Sequence, residues 1–196
     1  MSSAPRGGPR RDAPVRVRLD IDDQVLVQAA QDGDLDAFEL LVRRHQPAVY
    51  RVALRLLGSE ADAHDATQET FVRAWRALPR FLGRSAVSTW LYRIVTRCSF
   101  DLIASREVSA RLADAAAAPA ASADPAQAAE SRERLRAITD AIATLPADQR
   151  AAFVLREFEG LSYDEIAQVL ETSVAAVKGR IHRARLAVLK ETTAWQ

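Results

Sequence analysis

The stretch Leu161–Lys190, LSYDEIAQVLETSVAAVKGRIHRARLAVLK, reads as a helix, a three-residue turn and a second, longer helix. Ser162 can accept from an otherwise orphaned backbone N–H of the first turn. Glu165, three residues on, can accept from Ser162 in return, which is the pattern of a capping box. Ile166, Ala167 and Leu170 form the inward face, and Ala167 is small enough to let another helix come close. Glu171, Thr172 and Ser173 make the turn, with Ser173 or Thr172 capping the second helix. In that second helix Val174, Val177, Ile181, Ala184 and Val188 recur at spacings of three and four, so they share one apolar face. Glu171 holds a position commonly given to glycine, and it must either enter the left-handed region or use a different turn.

The opposite face carries the chemistry. With the apolar stripe inward, a turn of about 100° per residue leaves Ala175, Ala176, Gly179 and Arg183 outward. Lys178, His182 and Arg185 lie on one flank and Arg180 on the other, with Ser173 at the head. Small residues come first, so the helix N-terminus can approach base edges closely, and cations follow where phosphates would lie. Between Ser173 and Lys190 there are five Lys or Arg and no acid. A basic run alone signals only a solvated face. Capping, turn spacing and the acid-free face together point to a helix-turn-helix that binds duplex DNA.

The rest of the chain bounds this reading. It has 196 residues, 48% apolar, enough for one large core or two small ones. Net charge is +1, but Asp20, Asp22, Asp23, Asp32, Asp34 and Asp36 crowd the front while the second helix is basic. The single cysteine, Cys98, excludes an internal disulfide framework, fits a reducing cytosol and reads as a small core residue. No apolar run approaches a membrane span and the N-terminus lacks a signal-peptide core, so a cytoplasmic protein without membrane insertion is expected. His45, His64 and His182 are scattered, there is no Gly-rich phosphate loop, and no nucleophile has a base in evident reach. No metal, cofactor or enzymatic activity is therefore expected.

Residues 1–21 hold Pro, Gly and Arg with little to bury, and read as a disordered tail. From Asp22 the pattern is helical. Gln24–Gln31 is a short helix ended by Gly33, and Asp34 caps the next. There Leu35, Phe38, Leu41, Val42, His45, Val49, Val52 and Leu56 line one side; Pro47 should kink the helix without ending it. Gly58 and Ser59 stop it, and Ser59 caps another that runs to Leu78, before Pro79. In that third helix Phe71, Val72 and Trp75 are expected to fill the core, with Asp65, Gln68 and Glu69 on a neighbouring polar strip. A loop with Arg80, Phe81, Arg84 and Ser85 comes next, then a helix that interleaves Trp90 and Tyr92 with Arg93 and Arg97. Aromatics beside cations suit single-stranded nucleic acid; a core Trp90 and a half-buried Tyr92 are the alternative. Residues 106–130 are Ala, Ser and Pro and read as a flexible linker. Helices resume from Ser131, with Leu135, Ile138, Ile142 and Leu145 on one face. Pro146 then opens a helix carrying Val154, Leu155 and Phe158, closed by Gly160. Trp195 fits no pattern. The fold class is all-α: two small helical domains, 22–105 and 131–196, joined by the linker.

DATQETFVRAWRAL and RFLGRSAVSTWLYRIVTR resemble the second conserved region of extracytoplasmic-function (ECF) sigma factors, the small bacterial initiation subunits of RNA polymerase. LPADQRAAFVLREFEGLSYDEIAQVLETSVAAVKGRIHRARLAVL resembles their fourth region. The matches cover roughly residues 22–105 and 131–190, in the family's order. Local departures are His64, Ala66 and Thr67, which replace an acid and aliphatics, Glu171 for the turn Gly, and Gly179 where Ser is common. The resemblance implies a signal-responsive sigma factor that binds core RNA polymerase through its clamp helices and flap, recognises promoter DNA, and is held by an anti-sigma factor. It assigns Asp65, Gln68, Glu69, Phe71 and Val72 to polymerase. It assigns Arg80, Phe81, Arg84, Ser85, Trp90, Tyr92, Arg93 and Arg97 to recognition and melting of the minus-ten element. Ser173, Ala175, Ala176, Lys178, Gly179, Arg180, His182, Arg183 and Arg185 fall to the minus-thirty-five duplex. A free-standing helix-turn-helix regulator is the competing reading, but it gives no use to the polar strip beside an aromatic–arginine loop.

Overall fold

Several helices of this chain begin where the sequence offers a side-chain oxygen to the exposed N–H groups of a first turn. The computed structural model describes residues 21–113 and 141–193, and no strand occurs among them. Helix α1 spans Asp23–Gln31, and the Asp22 carboxylate accepts from the Gln24 N–H at 2.7 Å. Gly33 (φ 96°) turns the chain, and Asp34 accepts from the Ala37 N–H at 3.1 Å to start α2, Leu35–Leu57, which continues through Pro47. Ser59 caps α3, Glu60–Ala77, which passes into a 3-10 turn, Leu78–Arg80. Helix α4 is Val87–Ala113 and so runs on past the boundary expected at 105. Residues 141–144 are helical, and after them come α5 (Ala147–Glu157), α6 (Tyr163–Val169) and α7 (Val174–Thr193). Expectations for the tail (1–20), for 114–130 of the linker, and for Leu135, Ile138 and Trp195 lie outside the described residues.

Two compact units can be told apart, one up to Arg44 and one from His45 onward. The first buries Leu26, Val27, Ala30, Ala37 and Leu41, and Arg44 pairs with Asp23. Leu35, expected on the apolar side, is 66% exposed; in the first turn of α2 the buried position belongs to Ala37.

In the second unit α3 lies along α4. The buried face of α3 is made of Ala63, Ala66, Thr67, Thr70 and Ala74, small residues that let the two helices come close. The hydroxyls of Thr67 and Thr70 donate to the carbonyls of Ala63 and Ala66, each at 2.6 Å, so neither hydroxyl is stranded there. This corrects the expected core of α3: Val72 (39% exposed) and Trp75 (38% exposed) stand at the surface and Phe71 is half-buried. The large side chains are displaced because the close helix contact has room only for Ala and Thr. Helix α4 in turn buries Val87, Leu91, Tyr92, Val95 and Cys98.

Helices α5, α6 and α7 share a core of Ala151, Val154, Leu155, Ile166, Val169, Val177, Ile181 and Ala184, all buried. Each fully buried branched side chain stabilises it by about 1.5–3 kcal/mol. Phe158, read on the same helix as the buried Val154 and Leu155, is 42% exposed. It stands just past the end of α5, where the chain is already turning towards Gly160 (φ 70°), and the Arg55 guanidinium sits 4.3 Å from its ring centre.

Candidate nucleic-acid interface

The helix-turn-helix is built by local hydrogen bonds. Ser162 Oγ accepts from the Glu165 N–H at 3.2 Å, and the Glu165 carboxylate accepts from the Ser162 N–H at 2.8 Å and hydroxyl at 2.7 Å. The backbone bond is the main reason the Glu165 carboxyl is held below the usual range. Glu171 adopts φ 50°, the left-handed turn residue of the motif, and Ser173 Oγ accepts from the Ala176 N–H at 3.2 Å to open α7.

On α7 the stripe Val177, Ile181 and Ala184 is buried, and Ala175, Lys178, His182 and Arg183 are exposed. Gly179 lies under Arg183: a Cβ there would stand 3.4 Å from the guanidinium. Two of the other cations are tethered. Arg180 Nε donates to Asp148 at 2.9 Å, and Arg185 donates twice to Glu157, at 3.0 and 2.6 Å. Both acids belong to α5, so Arg180 and Arg185 brace the helix while Arg183 and Lys178 point outward. Tyr163, which the sequence pattern did not single out, lies between the cations Arg156 (4.8 Å) and Lys178 (5.6 Å).

The strip on α3 is also brought together. Asp65, Gln68, Glu69 and Val72 line a surface depression of about 430 Å³ with Arg73, Cys98, Asp101 and Leu102. Phe71 is not part of its lining. Arg73 bridges the strip to α4, donating to Glu69 at 2.7 Å and to Asp101 at 2.9 Å, and these bonds raise its pKa. Burial pushes the Cys98 thiol up, in keeping with a core residue.

The loop after α3 and the start of α4 form a second depression, of about 480 Å³. Arg80, Phe81, Leu82, Arg84, Ser85, Trp90 and Arg93 line it. Phe81 and Trp90 are in ring contact, 4.6 Å between centres and tilted by 32°. Arg97 lines an adjoining groove with Trp90 and Arg93. Tyr92 stands apart: it is 7% exposed, and its hydroxyl donates to Glu159 at 2.9 Å. Burial, then that carboxylate, raises its pKa.

An aromatic pair ringed by arginines, a polar strip on the preceding helix and a helix-turn-helix thus occur in one chain. Residues 41–108 match the family model described as Sigma-70 region 2, and residues 135–188 match that described as Sigma-70, region 4. The chain is 39% identical over 178 residues to the RNA polymerase sigma-H factor of Pseudomonas aeruginosa, covering 86% of this chain and 92% of that protein. It is 38% identical over 176 residues to the ECF RNA polymerase sigma-E factor of Escherichia coli K12, covering 85% and 92%. The chain belongs to the ECF sigma factors. The solved structure of CnrH in complex with the cytosolic domain of CnrY is similar with a TM-score of 0.67 and 31% identity, covering 88% of this chain and 97% of that one.

As an ECF sigma factor the protein directs transcription initiation. Its region 4 helices meet its region 2 helices through polar contacts that no local sequence pattern announces. Arg93 Nε donates to the Gln168 carbonyl at 3.1 Å, and Arg97 pairs with Glu171 at 2.5 Å. Glu159, whose side chain is only 4% exposed, takes the Tyr92 hydroxyl and lies 3.5 Å from both Arg51 and Arg55. Arg150 donates to the Leu56 carbonyl at 2.5 Å, capping the last turn of α2. Burial lowers the pKa of Arg150. No helix among the described residues is long and apolar enough to cross a membrane.

Proposed function

We propose that this sigma factor divides promoter reading between its two family regions and acts in the cytoplasm without catalysis of its own. The strip of Asp65, Gln68, Glu69 and Val72, with Phe71 beside it, docks on the clamp helices of core polymerase, and region 4 docks on the flap. The loop residues Arg80, Phe81, Arg84 and Ser85, with Trp90, Arg93 and Arg97 of α4, take the minus-ten strand. The outward face of α7 takes the minus-thirty-five duplex, with Arg183 and Lys178 on phosphates or base edges and Arg180 and Arg185 holding the helix in place. An anti-sigma factor is a further partner, by analogy with the CnrY domain seen on CnrH.

The observation that carries this reading is the Phe81–Trp90 pair in a depression flanked by Arg80, Arg84 and Arg93. Stacking a base on an aromatic side chain is worth about 1–3 kcal/mol. That offsets the few kcal/mol that unstacking a base from the duplex costs. Run-off transcription with core polymerase on closed and pre-melted templates tests the division. Arg84→Ala should lose activity on closed templates and recover on the bubble. Arg183→Ala should weaken upstream duplex binding and stay impaired on the bubble. Equal rescue of both variants would refute it.

A further inference from the structure

We propose that the Phe81–Trp90 depression selects an extruded thymine, the base whose edge and methyl group its side chains match. The inference rests on the reading of this depression as the minus-ten strand site, and it names the base taken there. Arg80, Arg84, Ser85, Arg93 and the exposed Leu82 surround the paired rings, and no acidic side chain lines the wall. A guanidinium only donates, and so does the Trp90 indole N–H; the Ser85 hydroxyl both donates and accepts. Gln168 is also in the lining, but it belongs to region 4, which the proposed division places on the upstream duplex.

An extruded base is read through hydrogen bonds to its Watson–Crick edge. Thymine offers two carbonyl acceptors and a single N–H donor, which suits several arginines and one hydroxyl. Cytosine and adenine each present an exocyclic amino group, and guanine presents an amino group beside a ring N–H. An amino group buried against guanidinium groups finds no carboxylate to take its protons, and a donor left unmet is costly. Arg84 is the side chain on which this choice turns, since the loop brings it into the depression directly after the turn at Gly83 (φ 66°).

Leu82 supplies the other half of the match. It is 72% exposed, in a loop whose backbone is fixed on both sides of it. Before it the Phe81 N–H donates to the Leu78 carbonyl at 3.0 Å, and after it Gly83 turns the chain. An apolar side chain held there has nothing to offer a phosphate. It can cover the C5 methyl that distinguishes thymine from every other unmodified DNA base. Covering one methyl strengthens binding about fourfold. A satisfied base edge is favoured over a mismatched one by about tenfold.

The test uses the holoenzyme formed from the full chain and core polymerase, with core polymerase alone as the blank. Single-stranded hexamers of thymidine, deoxyuridine, 5-methyldeoxycytidine and deoxycytidine compete with a fluorescent strand, so that methyl and amino groups vary independently. Thymidine should bind about tenfold more tightly than deoxycytidine and about fourfold more tightly than deoxyuridine. Arg84→Glu supplies an acceptor and should invert the preference between thymidine and deoxycytidine. Arg84→Gln, which donates and accepts, should bring that ratio to about one, and serves if Arg84→Glu folds poorly. Leu82→Ala should erase the advantage of thymidine over deoxyuridine and keep its advantage over deoxycytidine. Equal binding of the four hexamers, or a preference that Arg84→Glu leaves unchanged, would overturn the selection. A thymidine-to-deoxyuridine ratio that survives Leu82→Ala would overturn the methyl contact. Trp90→Ala should weaken all four hexamers alike. If it weakens none, the depression is not the strand site. If it weakens all of them while the parent binds them equally, the strand site stands and the choice of thymine falls.

Discussion

Helix α3 and the first three turns of α7 both carry large apolar residues at helical spacing, and they treat them in opposite ways. There α7 buries its branched stripe, Val177 and Ile181, and turns small Ala175 outward, and only nearer its end are Leu186 and Leu189 exposed. Helix α3 buries Ala63, Ala66, Thr70 and Ala74 and leaves Val72 and Trp75 more than a third exposed. The difference is one of distance between neighbours. A helix that meets its partner through Ala and Thr can approach closely, and its large residues are left over for the surface. In α3 that surplus borders the strip proposed for polymerase, so a close-packed seam and the proposed docking surface share one helix.

Three perturbations can break this contrast. Ile181→Ala should have the largest effect, because its side chain is 1% exposed and its loss leaves a cavity. A loss of about 2–5 kcal/mol in urea unfolding is expected. A loss below that range would mean the core of α5–α7 relaxes freely.

Next comes the seam of α3. Ala74→Leu forces a larger side chain where nothing is exposed, and overpacking should cost about 1–3 kcal/mol. Val72→Ala, on the exposed side, should stay within about 0.5 kcal/mol while weakening association with core polymerase. If the order of the two stability losses is reversed, the large residues of α3 are core after all.

A more local effect sharpens the contrast at the start of α6. Ser162→Ala removes the cap and should cost about 1 kcal/mol. The Glu165 carboxyl is depressed in the folded chain by the Ser162 N–H and hydroxyl. Its contribution is therefore complete above the ordinary glutamate value of about 4.3, and is lost as pH falls through the lower, folded value. Urea midpoints between neutral pH and the acid limb should fall more steeply in the parent than in Glu165→Gln. Parallel curves would show that the carboxylate adds nothing.

Where the sequence was readable, the signals were local. The capping box at Ser162 and Glu165, the Ser173 cap, the turn at Glu171 and the stripe of α7 each involve residues within one or two turns of one another. Their hydrogen bonds follow from spacing alone. The strip of α3 was equally visible, since positions three and four apart share a helix face, although Phe71 fell outside the groove. What periodicity could not supply was which apolar face of α3 turns inward. Phe71, Val72 and Trp75 look like core residues until the close approach of α4 is known. Trp90 and Tyr92 had the same ambiguity: Tyr92 proved to be the buried ring, and Trp90 the partly exposed one beside Phe81.

Helix identity, the capped helix starts, the helix-turn-helix and the likeness to two sigma-factor regions were determined by the sequence itself, because caps, turns and period act over a few residues. The tertiary structure alone decided the partners of the arginines. Arg180 and Arg185, read from the sequence as DNA contacts, also have Asp148 and Glu157 of α5 beside them. Tyr92 meets a carboxylate 67 residues away, and Arg97 one 74 residues away. A guanidinium accepts any nearby anion, whether phosphate or carboxylate, and which one it meets depends on how distant segments pack.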